Sequence, residues 1–312
     1  MSAPRPRRAA GWLLLSVVAL AAVCAPWLAT GDVAAQHPDL SLAPPSLAAL
    51  EMVERLPPTY RPIDGPRPLA WFDGRLVASA DPRSPLLPLG SDSLGRDQWS
   101  RLVHGARLSL GLAAAGLAGA LLAGAAVGLV AGERGGRLDT VLMRVADLFI
   151  AWPVLYVVLV LRAALPLSLP LAATFLLMAG VLALAGWPLV ARAVRAVTVA
   201  ERTREFVLAA EAAGASRLWI LRRHLLPAAL PVMATKALLL LPSFILAEAT
   251  LSFIGFGFPE PAPSWGTMLR EVSSAFVLRQ APWLLSPAAA IAVVTLAVNL
   301  IADADADPTQ RA

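Results

Sequence analysis

The sequence predicts an all-α integral membrane protein of six transmembrane helices, and three observations carry that prediction. Of 312 residues, 58% are apolar and only 15% charged, and the mean hydropathy is +0.68. Most of the mass therefore belongs in spans. Apolar runs of bilayer-crossing length recur at about 11–29, 106–131, 143–163, 168–190, 228–253 and 283–301. Finally, the cations alternate in sidedness: Arg5, Arg7, Arg8, Arg134, Arg137, Arg192, Arg195, Arg202, Arg204, Arg217, Arg222 and Arg223 fall on one side. The short loops opposite hold only Arg162, Arg270 and Arg279. Both termini and the loop at 201–227 are then cytoplasmic, while the long segment 31–105 is exported whatever its charge.

Composition also excludes several classes. The net charge of +5 does not form a basic patch with interleaved aromatics, so nucleic acid is not an expected partner. Lone Cys24 excludes an internal disulfide, and His37, His104 and His224 are too scattered for a metal site. No Gly-rich phosphate loop is present, so the chain itself should bind no ATP, need no cofactor and catalyse no reaction.

Residues 1–30 comprise a basic tail and a first apolar run. The run is too long for a signal-peptide core, which favours a retained anchor over a cleaved leader. Residues 31–105 form a Pro-rich extracytoplasmic loop, with a short amphipathic helix expected at 46–56 and a hairpin at 71–77 turning at Asp73-Gly74. Before the second span, Asp92 and Asp97 can pair with Arg96, Arg101 or Arg107 and pin the loop at the membrane surface. The core, 106–303, follows. Its second span carries Gly116, Ala120, Gly124, Gly128 and then Gly132 at four-residue spacing, a stripe that lets helix backbones approach closely within this subunit. Arg144 and Asp147 can meet on one face of the third span, which includes Trp152-Pro153. The fourth ends near Gly186-Trp187-Pro188. The fifth contains Lys236 and one deeply placed acid, Glu248, whose roles as pathway residue and structural strut weigh evenly. Asn299 closes the sixth, and residues 304–312 form a cytoplasmic tail with Asp303, Asp305 and Asp307 around it.

The charged loop 201–227 stands apart. It is too polar to span. A first helix is expected from Glu201 to Ala213, closed by Gly214, and a second capped by Ser216. Leu218, Leu221 and Leu225 should share one face, and Pro227 should end that helix or open the next span. The alternative for such a loop is an amphipathic helix lying on anionic membrane lipid, which has no need of the Gly corner.

The spacing Ala209-Ala210, Gly214, Leu226-Pro227 resembles the cytoplasmic loop motif of permease subunits in bacterial ATP-binding-cassette importers. Leu208 stands where that motif opens with glutamate, with Glu205 and Glu211 one turn to either side. Three further stretches are similar to the dipeptide, oligopeptide and nickel branch: Pro88–Leu102 leading into Gly105–Leu110; Gly135-Gly136, Leu138-Asp139, Met143-Arg144 and Asp147; and Pro261–Leu269, where the branch has a short re-entrant segment. The resemblance implies a peptide importer permease in the bacterial inner membrane, with nickel or a modified peptide as alternative solutes. It also implies partners: a second permease, two ATPase subunits and an extracytoplasmic solute-binding protein. Glu205, Leu208, Ala209, Ala210, Glu211, Gly214, Leu226 and Pro227 would couple to the ATPase. An ion-driven transporter and a non-transporting scaffold remain the competing classes.

Overall fold

The computed structural model describes residues 6–47, 50–53, 59–62, 69–70, 75, 78–79, 85–153, 156–157, 160 and 169–306. Its helices are α1 (Pro6–Val23), α2 (Ala25–Leu28), α3 (Gln98–Arg134), α4 (Gly136–Ala151), α5 (Leu171–Glu201), α6 (Glu205–Ala212), α7 (Arg217–Ile220), α8 (Leu226–Phe253), α9 (Trp265–Leu269), α10 (Ala275–Gln280) and α11 (Ser286–Ala306). Among the described residues, four helical runs are long and apolar enough to cross a membrane: Gln98–Arg134, Leu171–Glu201, Arg217–Phe253 and Pro282–Ala302. The first expected span is helical to Leu28 apart from a turn at Cys24, whose N–H still bonds the Leu20 carbonyl at 2.8 Å. Helix α1 stops at Val23 and α2 restarts with Pro26 in its first turn, since proline offers no N–H to continue the ladder. The third is displaced. Helix α4 begins at Gly136 and ends at Ala151, because Trp152 precedes Pro153 and takes an extended ψ of 122°. In the far part of that run, Tyr156, Val157 and Val160 are helical, and the rest lies outside the described residues. In contrast, α5 does not stop at Pro188 but continues through it to Glu201.

The chain divides into two compact units. The first comprises the chain up to Gly111, a short piece before Thr174 and everything from Ile245. Here α1 packs along α11, with Gly11 against the Ala297 carbonyl. The expected helix at 46–56 is replaced by a strand, β1 (Leu50–Val53), antiparallel to β2 (Thr59–Pro62). Bracketing prolines leave too few residues for a self-supporting helix there. Strands β3 (Leu69–Ala70) and β4 (Ala78–Ser79) also pair antiparallel; the turn at Asp73-Gly74 lies outside the described residues.

The segment before α3 is a knot of buried charge. Arg96 reaches Asp92 at 2.5 Å, Glu260 at 2.8 Å and Glu271 at 3.1 Å, and Arg101 lies 3.4 Å from Asp92. Among the described residues Asp97 takes no arginine, contrary to expectation. Its carboxylate instead accepts from Thr30 Oγ1, Ser100 Oγ and the backbone N–H groups of Trp99 and Ser100, capping the start of α3. Burial pushes the Asp97 carboxyl above its ordinary range against the pull of these hydrogen bonds. Gly95, at φ +72°, turns this segment where a Cβ would sit 1.8 Å from the His37 carbonyl oxygen.

The second unit runs from Leu112 through the α4 region, and from Phe175 to Phe244. The glycine stripe packs inside it: Gly116, Gly124, Gly128 and Gly132 face Leu182, Val190, Val194 and Thr198 of α5, so α3 and α5 run parallel in close contact. Helix α4 joins them through Ala146, Trp187 and Ala191, with Phe149 edge-on to Trp187 at 5.4 Å. Asp147 pairs with Arg192 of α5 rather than with Arg144, and Asp139 takes Nε and Nη2 of Arg195, one on each carboxylate oxygen. The two arginines lie one turn apart on α5, facing α4, which favours the inter-helix pairs over the local one. That bidentate contact holds the Asp139 carboxyl below its usual range.

Candidate functional site

The loop 201–227 folds as a bent helix pair within the second unit. Local chemistry sets its corner. At the end of α6, the Ala215 N–H bonds the Ala210 carbonyl and the Gly214 N–H bonds the Glu211 carbonyl, each at 3.0 Å. This is the six-to-one, five-to-two pattern that closes a helix through a left-handed residue, and Gly214 supplies it at φ +81°. Ser216 then caps α7, its Oγ accepting from the Trp219 N–H at 3.3 Å. Helix α6 is shorter than expected, starting at Glu205, because the chain turns at 202–204 after α5. Arg202 fixes that turn by donating to the carbonyls of Glu133, at 2.7 Å, and Gly132, at 3.2 Å, where α3 ends with unpaired acceptors.

Pro227 opens a span. Helix α7 continues through a wide π turn, Leu221–Leu225, into α8 without a break. The expected Leu218, Leu221, Leu225 face does not form. Val207, Ile220 and Leu225 are buried, whereas Leu218 is 56% exposed and Leu208 51% exposed. Phe206 and Trp219 are also about half exposed. The π turn changes the phase of the helix, so spacing read at 3.6 residues per turn assigns the wrong leucines. Of the expected coupling residues, Glu205, Leu208, Ala209, Glu211, Gly214 and Pro227 are exposed, and Ala210 and Leu226 are half-buried. The pair thus offers an outward apolar face rimmed by charge, beside a polar cleft of about 380 Å³ lined by Glu133, Arg202, Glu211 and Arg217.

Glu248 lies in the other unit and is fully buried. Its Oε2 accepts from Ser109 Oγ of α3 at 2.8 Å, and its Oε1 accepts from Ser252 Oγ and Ser264 Oγ, each at 2.7 Å. Ser264 also caps α9 in a reciprocal box with Thr267, and the Trp265 N–H donates to Ser109 Oγ at 3.0 Å. One carboxylate therefore ties α3, α8 and the buried short helix α9 together, and among the described residues no cation pairs with it. Sequence spacing flagged the acid but not Ser109 or Ser264, which are remote in the chain. It also missed the π turn, which no local pattern signals. Among the described residues, no group of three metal-ligating side chains converges.

Residues 124–306, which include the bent loop and Glu248, match the family described as binding-protein-dependent transport system inner membrane component. A peptide transport system permease protein of Brucella suis is 35% identical over 296 residues, spanning 94% of this chain and 83% of that one. The dipeptide transport system permease protein of Alkalihalophilus pseudofirmus is 35% identical over 215 residues, 69% of this chain and 68% of that one. Among solved structures the inward-facing MetNI methionine ABC transporter is similar at a TM-score of 0.49 and 21% identity, over 65% of this chain and 95% of that one. At that level the likeness carries no argument.

Proposed function

The chain belongs to the family of binding-protein-dependent transport system inner membrane components, and from that premise we propose that it is the peptide permease subunit of an ATP-driven importer, coupled to its ATPase through the bent helix pair at 205–225. It is a multi-pass inner-membrane protein. Its partners are a second permease, two ATPase subunits and an extracytoplasmic solute-binding protein. Six spans with both termini inside put 31–105 outside the cell and 201–227 in the cytoplasm; the core is 106–303 and the tail 304–312. Family membership displaces the ion-driven and scaffold alternatives.

Support for the docking assignment comes from one observation above all: a short, turned helix pair leaves Leu208, Leu218, Phe206 and Trp219 each about half exposed. A rigid apolar knob of this kind fits a groove on a soluble partner. A helix resting on lipid needs neither the Gly214 corner nor an outward face so strongly bent away from a plane. Nucleotide binding closes the ATPases, moves the paired loops and swings the two permeases between inward and outward access by rigid-body motion. This chain performs no chemistry. In the same scheme Glu248 is a strut that holds α9 against α3 and α8.

The test is a mild-detergent pull-down of the tagged chain with mass spectrometry and ATPase assay of the eluate. We expect a second permease and an ATPase, both retained by wild type, with the ATPase lost on Gly214→Val. Recovery of the chain alone, or an ATPase retained by Gly214→Val with normal activity, would overturn the docking assignment. Competition of uptake by a dipeptide mixture against nickel then identifies the solute class.

A further inference from the structure

Ile220 and Leu225 are five residues apart, yet both are buried. In an α-helix that separation is about 1.4 turns, which would point them to different sides. The π turn at Leu221–Leu225 resolves this, because bonds reaching five residues back bring Leu225 round over Ile220. The same widened turn carries His224 to the side of the bent pair, where its ring sits between two others. Its centroid lies 5.3 Å from that of Phe206 on α6, tilted at 49°, and 5.2 Å from that of Trp219 on α7, edge-on at 69°. The backbone bonds at 210–215 close α6 and form the corner, but no neighbour packs against it where a side chain would stand. Gly214 has open space around it, and a Cβ added there would meet nothing within 4 Å.

We propose that His224 is the positioning residue of the coupling loop: seated by the π turn, its ring clasps Phe206 and Trp219 and fixes the angle between α6 and α7. The clasp makes Leu208 and Leu218 one surface instead of two independent ones. Its use in coupling rests on the docking to an ATPase proposed above, but the clasp is internal to this chain and can be tested apart from it. Edge-to-face contact needs a ring, not a charge, so phenylalanine should serve in place of histidine.

The chain's lone cysteine makes the measurement direct. In a Cys24→Ser background, spin labels at Thr203→Cys and Arg223→Cys report the spread of distances across the loop in the full-length, membrane-inserted protein. With His224 or His224→Phe the distribution should be narrow; with His224→Ala it should broaden at least twofold. ATPase captured from the native complex should fall about tenfold for His224→Ala and stay near wild type for His224→Phe. A narrow distribution in His224→Ala, or a His224→Phe chain as loose as His224→Ala, would overturn the clasp. If His224→Ala fails to insert, Trp219→Ala removes the other jaw from an exposed position and must give the same broadening. A clasp that behaves as expected in a chain that captures no ATPase even as wild type would sink the docking assignment and leave the clasp standing.

Discussion

Replacing Glu248 distinguishes a strut from a solute-path residue, and the structure sets the size of each effect. Its Oε1 holds two hydroxyls and its Oε2 one. Glu248→Gln is nearly isosteric, and the amide will orient its oxygen towards Ser252 and Ser264 and its NH2 towards Ser109. Ser109 Oγ already accepts from the Trp265 N–H, so its own proton then lacks a buried acceptor. That is one unmade hydrogen bond, about 1–3 kcal/mol. Glu248→Ala strands all three hydroxyls and leaves a void, about 3–5 kcal/mol. Adding Ser109→Ala to Glu248→Gln removes that proton but strands the Trp265 N–H and the new amide N–H, so the double variant should be less stable than Glu248→Gln alone. Thermal unfolding of the purified chain in detergent reads these as the order wild type, then Gln, then Ala, with Gln plus Ser109→Ala below Gln, at about 2–4 °C per kcal/mol. Transport per folded complex should change little in Glu248→Gln. Unchanged melting in both single variants, together with lost transport, would refute the strut and assign the carboxylate to the solute path.

Three further outcomes follow from the geometry. At Gly214 the cost is purely one of backbone conformation, about 1–2 kcal/mol for a residue with a Cβ; Gly214→Asn, which tolerates that conformation, should retain the ATPase in a pull-down while Gly214→Val loses it. At Gly128 the obstacle is packing: an added Cβ would lie 2.5 Å from the Ala191 carbonyl oxygen and 2.8 Å from Val194 Cβ. Gly128→Ala must push α3 and α5 apart by about 1 Å and cost about 1–3 kcal/mol, seen as a lower melting temperature, whereas Gly111→Ala, with nothing within 4 Å of the added atom, should melt as wild type. Asp139 has a depressed pKa in the folded state, so its tie to Arg195 contributes stability above the ordinary aspartate pKa of about 3.9 and loses it as pH falls through the lower folded value. The melting gap between wild type and Asp139→Asn should therefore be constant near neutral pH and close in strong acid; a gap independent of pH would exclude the ion pair as its cause.

Some parts of this architecture are written in short stretches of chain. Gly214 with Ser216 announced the corner because a left-handed residue and an N-cap act on backbone groups a few residues away. The stripe from Gly116 to Gly132 announced a close helix contact because its period matches the helix. Proline was the less reliable guide: Pro153 does end α4, but Pro188 leaves α5 unbroken, since one missing hydrogen bond in a long packed helix is compensated by its surroundings. A strand at Leu50–Val53 stands where a helix over 46–56 is expected, because short apolar alternation and a short helical face look alike without a partner strand.

By itself, then, the sequence determined the membrane class, the polar loop at 201–227, its corner and the presence of a deeply placed acid, because apolar length and backbone preference act between near neighbours. Only the tertiary structure decided that Asp147 meets Arg192 instead of Arg144, that Asp97 is satisfied by hydroxyls and backbone, and that Glu248 gathers Ser109, Ser252 and Ser264. It also decided which leucines of the loop point outward, through a π turn that shifts the helical phase. The physical reason is common to all four: each is a choice among several partners of similar local merit, and packing of segments remote in the chain determines which partner comes within reach.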